Sequence, residues 1–174
     1  MSKPVLIARY YPQWPVLYEH EKSRIIKALA QKALAVEHIG STSIPGLGSK
    51  NIVDMMLGLQ GPEDAEECLP RLMNIGYNDV TPEPGDPDWY YCLGTDLAAA
   101  YCHLHLIRYE SNRWTNHLLF RDYLRTHADV AQNYNQLKNQ LAIIHRNDRQ
   151  AYTQAKASFI ESILNQANQQ KTDR

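Results

Sequence analysis

Between Ile52 and Leu59 the side chains alternate with the period of a β-strand. Val53, Met55, Leu57 and Leu59 form an apolar face, and Ile52, Asp54, Met56 and Gly58 share the other. Upstream, Val36 and Ile39 open a second strand over residues 36–40, closed by the polar turn Gly40-Ser41-Thr42-Ser43. The N-terminal pattern is helical from Pro15, with Trp14, Leu17, Tyr18, Ile25, Ile26 and Leu29 near one face and an end near Ala33. Residues 4–9 fit a short edge strand. Gly61-Pro62 starts a helix from Glu63 to Asn74, interrupted by Pro70 and closed by Gly76.

A strand over residues 77–81 and a proline-rich loop over 82–88 follow. Trp89 to Leu93 and Tyr101 to Arg108 then form an antiparallel pair, with Tyr101, His103, His105 and Ile107 on one face and Cys102, Leu104 and Leu106 on the other. From Ser111 or Asn112, which suit a helix cap, the chain is helical, with breaks at His127 to Asp129 and Asn147-Asp148. The last helix places Ala151, Tyr152, Ala155, Phe159, Ile160 and Ile163 at helical spacing, before a polar tail from Asn165. The pattern predicts one compact α+β unit: a small mixed β-sheet packed by helices, with a helical C-terminal half. Residues 1–168 form the domain and 169–174 a frayed tail.

A chain of 174 residues with 44% hydrophobic content can bury a core, and one domain is expected. Its net charge of −1 gives no global basic excess for nucleic acid or an anionic membrane. Cys68, Cys92 and Cys102 have no C-x-x-C spacing, so neither a disulfide framework nor a zinc site follows, and buried thiols in a reducing compartment are expected. No apolar run reaches membrane-spanning length, and the N-terminus lacks the layout of a signal peptide. A cytoplasmic location is the expectation.

The candidate chemistry centres on the turn and the strand after it. Gly40 lets backbone approach a ligand, and the hydroxyls and N–H groups of Ser41, Thr42 and Ser43 suit a phosphate. Asp54, on a mostly apolar strand, needs a partner, a metal or water. The run HIGSTSIPGLGSKNIVD (residues 38–54) is similar to the signature of the GrpB family, a branch of the nucleotidyltransferase superfamily. The likeness extends to residues 10–25, 103–127, 134–142 and 152–164, including HLLFRDYLR at 117–125, and so covers most of the chain.

The resemblance implies a nucleotidyltransferase-like fold with Asp54 as the catalytic, metal-holding carboxylate. The superfamily pattern has a second acid two residues on, where this chain has Met56, which cannot ligate Mg²⁺. It also implies a third acid on a later strand. His103 and His105 are placed to coordinate a metal with Asp54, softer than Mg²⁺ (Zn²⁺ or Mn²⁺), to contact a phosphate, or simply to be hydrogen-bonded. Arg113, His117, Arg121 and Arg125 recur at every fourth residue and make a basic ridge for a polyanion, although a solvated helix face has the same spacing. Lys50, Lys138 and Lys156 are further phosphate candidates. Trp89, Tyr90 and Tyr91 can stack a base or pack the hairpin.

The expected function is binding of a nucleotide or another phosphate-bearing small molecule, with a divalent metal (Mg²⁺, Mn²⁺ or Zn²⁺) and weak or absent nucleotidyl transfer. The rival is a non-enzymatic folding or interaction module for a protein partner. The resemblance implies dephospho-coenzyme A kinase as such a partner by analogy, since GrpB-like domains occur fused to it.

Overall fold

The structure is a computed structural model describing residues 4–83, 85–97 and 99–172. Pro84 of the expected loop, Ala98 between the paired strands and residues 173–174 of the expected tail lie outside the described residues. Strands β1 (Ala35–Ile39), β2 (Ile52–Leu59), β3 (Asp79–Pro82), β4 (Trp89–Asp96) and β5 (Tyr101–Arg108) form one sheet in the order β1-β2-β5-β4-β3. β2 and β5 pair in parallel, and the other three pairings are antiparallel. The α+β class and the mixed sheet are as the alternation predicts.

Helices α1 (Trp14–Leu29) and α2 (Pro62–Asn74) cover one face of the sheet. Val53, Met55, Leu57 and Leu59 point into this layer with Cys102, Leu104 and Leu106, against Trp14, Ile25, Leu29, Cys68 and Leu72. Burying a side chain of this size stabilises by roughly 1.5–3 kcal/mol, and this is the largest hydrophobic cluster among the described residues. α2 carries Glu63 and Asp64 in its first turn, where the helix dipole favours acids. It runs straight through Pro70, contrary to the expected interruption, because Cys68 and Leu72 on either side remain docked in the core.

Helix α3 (Asn112–Thr126) lies on the opposite face, capped by Ser111, whose Oγ accepts the Trp114 N–H at 3.2 Å. Helices α4 (Ala128–Ile144), α5 (Arg149–Gln154) and α6 (Ala157–Thr172) complete the helical half. Asp148 caps α5 through the Ala151 N–H. The expected last helix is therefore two, parted at Ala155 and Lys156. α6 also runs past Asn165 into the polar segment, because Ile163 and Ala167 are buried against Leu119 and Tyr123 of α3.

Residues 4–9 form no strand. Ala8 makes an isolated antiparallel bridge to Ser49, and Val5 donates to the Arg146 carbonyl, so this stretch links the post-turn loop to the end of α4. Among the described residues no helix is long and apolar enough to cross a membrane.

Candidate functional site

The register of three strands creates the site. Asp54 pairs with Ile39 on β1 and His103 on β5, and His105 pairs with Cys92 on β4. Period-two geometry puts Asp54, His103, His105 and Cys92 on the sheet face away from α1. Asp54 Oδ1 lies 3.3 Å from His103 Nδ1 and 3.6 Å from His105 Nε2. Burial by itself raises the Asp54 carboxyl pKa, but the two imidazoles facing it outweigh that and hold it well below the usual carboxylate range. Gly40 has φ +69°, and a Cβ there would come within 2.8 Å of Asp54 Oδ2. Glycine at 40 therefore permits both the left-handed backbone and the approach of the carboxylate.

Two residues further along β2 the surroundings change. Met56 is fully buried with Ile39, Ile107 and Trp114. The position of the superfamily's second acid is thus filled by a thioether and sealed under α3.

A cleft of about 610 Å³ opens between Gly40 and Asp54 on the sheet side and α3, α4 and α6 on the other. Its wall combines apolar groups (Ile39, Phe120, Tyr134, Ile160, Leu164) with His105, Arg113, His117 and Lys156, and with the acids Asp54, Asp86 and Asp88. A second cleft, about 660 Å³, lies at the start of β2 and β5 and includes Lys50, Tyr101, His103 and Arg149. Lys50 and Lys156 both approach the Tyr152 ring, at 5.5 and 4.5 Å. Burial lowers both lysine pKa values, that of Lys156 to about 8, with each lysine also sensing the Asp54 charge.

The expected site residues divide into two sets. Gly40, Asp54, His105, His117 and Lys156 share the first cleft, with Ser41 half-buried beside Gly40, and Lys50 and His103 line the second. His117 is a neutral lining group rather than a cation, because burial takes its pKa down to about 4, with help from His105 and Arg113. The remaining residues are held by the protein itself. Thr42 and Ser43 are buried in a 3₁₀ turn, Ser43 Oγ donating to the Gly40 carbonyl at 2.7 Å and Thr42 Oγ1 lying 3.0 Å from His38 Nε2. The Ser43 and Ile44 N–H groups likewise turn inward, to the carbonyls of Gly40 and Ser41.

The basic ridge of α3 is also spent on internal bonds. Arg121 pairs with Glu37 at 2.6 Å and donates to the His38 carbonyl, and Arg125 donates twice to the Ser43 carbonyl. Arg113 pairs with Asp86 and stacks over Trp89 at 4.4 Å, so that face of Trp89 is not open to a base. Arg121 and Arg125 fasten β1 and the turn to the helical half, and Arg113 fastens the loop before β4 to α3. Lys138 is 2% exposed and donates to the Gly48 carbonyl, anchoring the loop before β2 rather than facing a ligand.

Several residues of the site carry no local signal. Phe120, Tyr134, Ile160 and Leu164 reach the cleft only through the packing of separate helices. Cys92 joins the site through the β4–β5 register, which runs unbroken from Asp96 opposite Tyr101 to Tyr91 opposite Leu106. Burial raises its thiol pKa to about 12, with the Asp54 and Glu83 charges adding to the effect.

The comparisons agree with this architecture. A sequence model of the GrpB protein family matches residues 4–166. A UPF0157 protein of Halalkalibacterium halodurans is 34% identical over 164 residues, spanning 94% of this chain and 83% of that protein. The crystal structure of the conserved protein GrpB from Enterococcus faecalis superposes with a TM-score of 0.83 at 30% identity, over 95% of this chain and 99% of that one. The Cid1 poly(U) polymerase, in a Mg 3′-dATP-bound form, gives a TM-score of 0.57 at 15% identity, over 86% of this chain and 49% of that one. At that identity the likeness carries the fold alone, and the fold is nucleotidyltransferase-like. With a family match over nearly the whole chain and a shared fold, the chain belongs to the GrpB family.

Proposed function

We propose that the protein binds a nucleotide or a similar polyphosphate ligand in the cleft beside Asp54, with little or no nucleotidyl transfer. One observation carries the reading. Lys156 in this cleft and Lys50 in the second one are both partly buried and sense the Asp54 charge, and among the described residues neither has a carboxylate in salt-bridge contact. A buried ammonium group without a counter-ion is costly, and an incoming phosphate supplies the missing charge. The apolar wall of Phe120, Tyr134, Ile160 and Leu164 offers a surface for a base, and the cleft volume is in the range of small-molecule sites.

A divalent ion held by Asp54 can accompany the phosphates. Transfer through two metals needs a second carboxylate at close spacing, and Met56 supplies none. Glu37, the nearest acid on β1, is already paired with Arg121. The test is a thermal-shift and calorimetric screen of nucleoside triphosphates and inorganic tripolyphosphate, with and without Mg²⁺, Mn²⁺ and Zn²⁺. A ligand at a hundred times its Kd stabilises by about 2.7 kcal/mol. Binding that is lost in the double variant Lys50→Ala/Lys156→Ala is expected. No shift with any polyphosphate overturns the reading.

The sealed Met56 position favours a second reading, a non-enzymatic module that docks on a protein such as dephospho-coenzyme A kinase. Titration of the purified kinase against this chain tests it directly, with no measurable association as the outcome that removes it.

A further inference from the structure

The face of the sheet around Asp54 carries a donor set that phosphate binding does not use. One ligand atom each from Cys92, His103 and His105 lie within 4.8 Å of one another. The Asp54 carboxylate stands 3.3 and 3.6 Å from the two imidazoles. Metal-bound imidazoles commonly direct their other ring nitrogen at such a carboxylate.

We propose that Cys92, His103 and His105 bind one thiophilic divalent cation of the Zn²⁺ class, with Asp54 holding the two imidazoles from behind. Their backbones are fixed by three adjacent, hydrogen-bonded strands: Cys92 is the register partner of His105 on β4, and Asp54 that of His103 on β2. Donors set on a sheet move little, and three protein ligands leave the fourth position to water. A thiol and two imidazoles do not suit Mg²⁺, which demands octahedral oxygen ligands, whereas sulfur and nitrogen donors are what Zn²⁺ selects.

A second observation points the same way. His105 Nδ1 is buried without a hydrogen-bond partner, although nearly all buried polar atoms in proteins have one. With Nε2 facing Asp54 and Nδ1 unsatisfied, His105 has a nitrogen left for the ion. Cys68 and Cys102 lie in the core on the opposite face and cannot substitute for Cys92. Binding replaces the Cys92 S–H bond by an S–metal bond and releases that proton to solvent.

The inference rests on the preceding proposal only in sharing Asp54, and the experiment separates the two. Metal-free full-length protein is titrated with Zn²⁺ alone against a chromophoric chelator, and with Co²⁺ alone by absorption spectroscopy. Expected are one Zn²⁺ per chain and a thiolate-to-cobalt charge-transfer band. Cys92→Ser should abolish that band, and both Cys92→Ser and His103→Ala should weaken Zn²⁺ binding by roughly tenfold or more. A band that persists in Cys92→Ser, or no Zn²⁺ bound in competition with the chelator, overturns the site. Tripolyphosphate binding is measured on the same metal-free protein. If it survives while Zn²⁺ fails to bind, the cation site alone falls. If Zn²⁺ binds and tripolyphosphate does not, the cation site stands and the phosphate reading falls.

Discussion

Asp54 and Met56 lie two residues apart on one face of one strand, and their surroundings are opposite. Asp54 is about one-third exposed, touches two imidazoles and borders a cleft. Met56 is fully buried under Trp114. The boundary between them is set by where α3 meets the sheet. Ser111 caps α3 so that Trp114, one turn in, lies over Met56 and Gly58, and a Cβ on Gly58 would come within 3.1 Å of the Trp114 ring. The strand position two residues after Asp54 is thus filled by a thioether without leaving a hole. The packing that fills it also blocks an acid there.

The sharpest way to break the contrast is Met56→Asp. Restoring the superfamily acid places a carboxylate in an apolar cluster with no partner, and we expect a loss of roughly 3–5 kcal/mol in denaturant unfolding, with no gain in Mg²⁺ affinity. A stable Met56→Asp protein that binds Mg²⁺ more tightly would show that α3 can lift from the sheet.

Arg121→Ala comes next, at about 2 kcal/mol of stability, because it strands the Glu37 carboxylate and the His38 carbonyl. Tripolyphosphate affinity should be unchanged, since Arg121 fastens β1 rather than facing the cleft. A drop in affinity without a drop in unfolding midpoint would return it to the ligand site.

Lys156→Ala should weaken tripolyphosphate binding about tenfold, near 1.4 kcal/mol, with little change in stability. Unaltered calorimetric affinity would remove Lys156 from the site.

The smallest effect is that of pH on the wild-type protein. Only the protonated ammonium of Lys156 attracts an anion, and its pKa is about 8. Affinity is therefore full below that value and declines as pH rises through it, a several-fold loss between pH 7 and pH 9, absent in Lys156→Ala. The sign for folding is reversed. A lysine whose pKa is lower folded than unfolded makes the folded chain more stable as pH rises from about 8 toward the ordinary lysine value.

How much of this could be read from the chain differs between the parts. Asp54, His103 and His105 were legible because alternation within a strand is a local property. Gly40 was legible through the turn it opens. The fourfold spacing of Arg121 and Arg125 correctly gave one face of α3, but spacing does not say what that face meets. Their partners, Glu37 and the Ser43 carbonyl, lie more than eighty residues earlier. Lys138 was misread for the same reason: its helix presents it to Gly48, ninety residues away, and it is buried. Cys92 was grouped with two core cysteines because its neighbour across the hairpin, His105, follows from where the turn after Asp96 sets the register, which composition alone does not give.

The parallel pairing of β2 with β5 has a consequence for how the chain folds. Ile52 meets Tyr101 and Asp54 meets His103, partners about fifty residues apart, with α2 and two strands strung between them. Such a contact has high sequence separation, and closing the intervening loop costs entropy before the pairing returns any free energy. The hairpin of β4 and β5 can form early and by itself bring Cys92 next to His105, but Asp54 joins only when the long loop closes. A chain arrested before that step has the thiol and the imidazoles without the carboxylate. Asp54 capture is then a late folding event, and a Co²⁺ spectrum followed during refolding should register the sulfur ligand before the protein gains its full thermal stability.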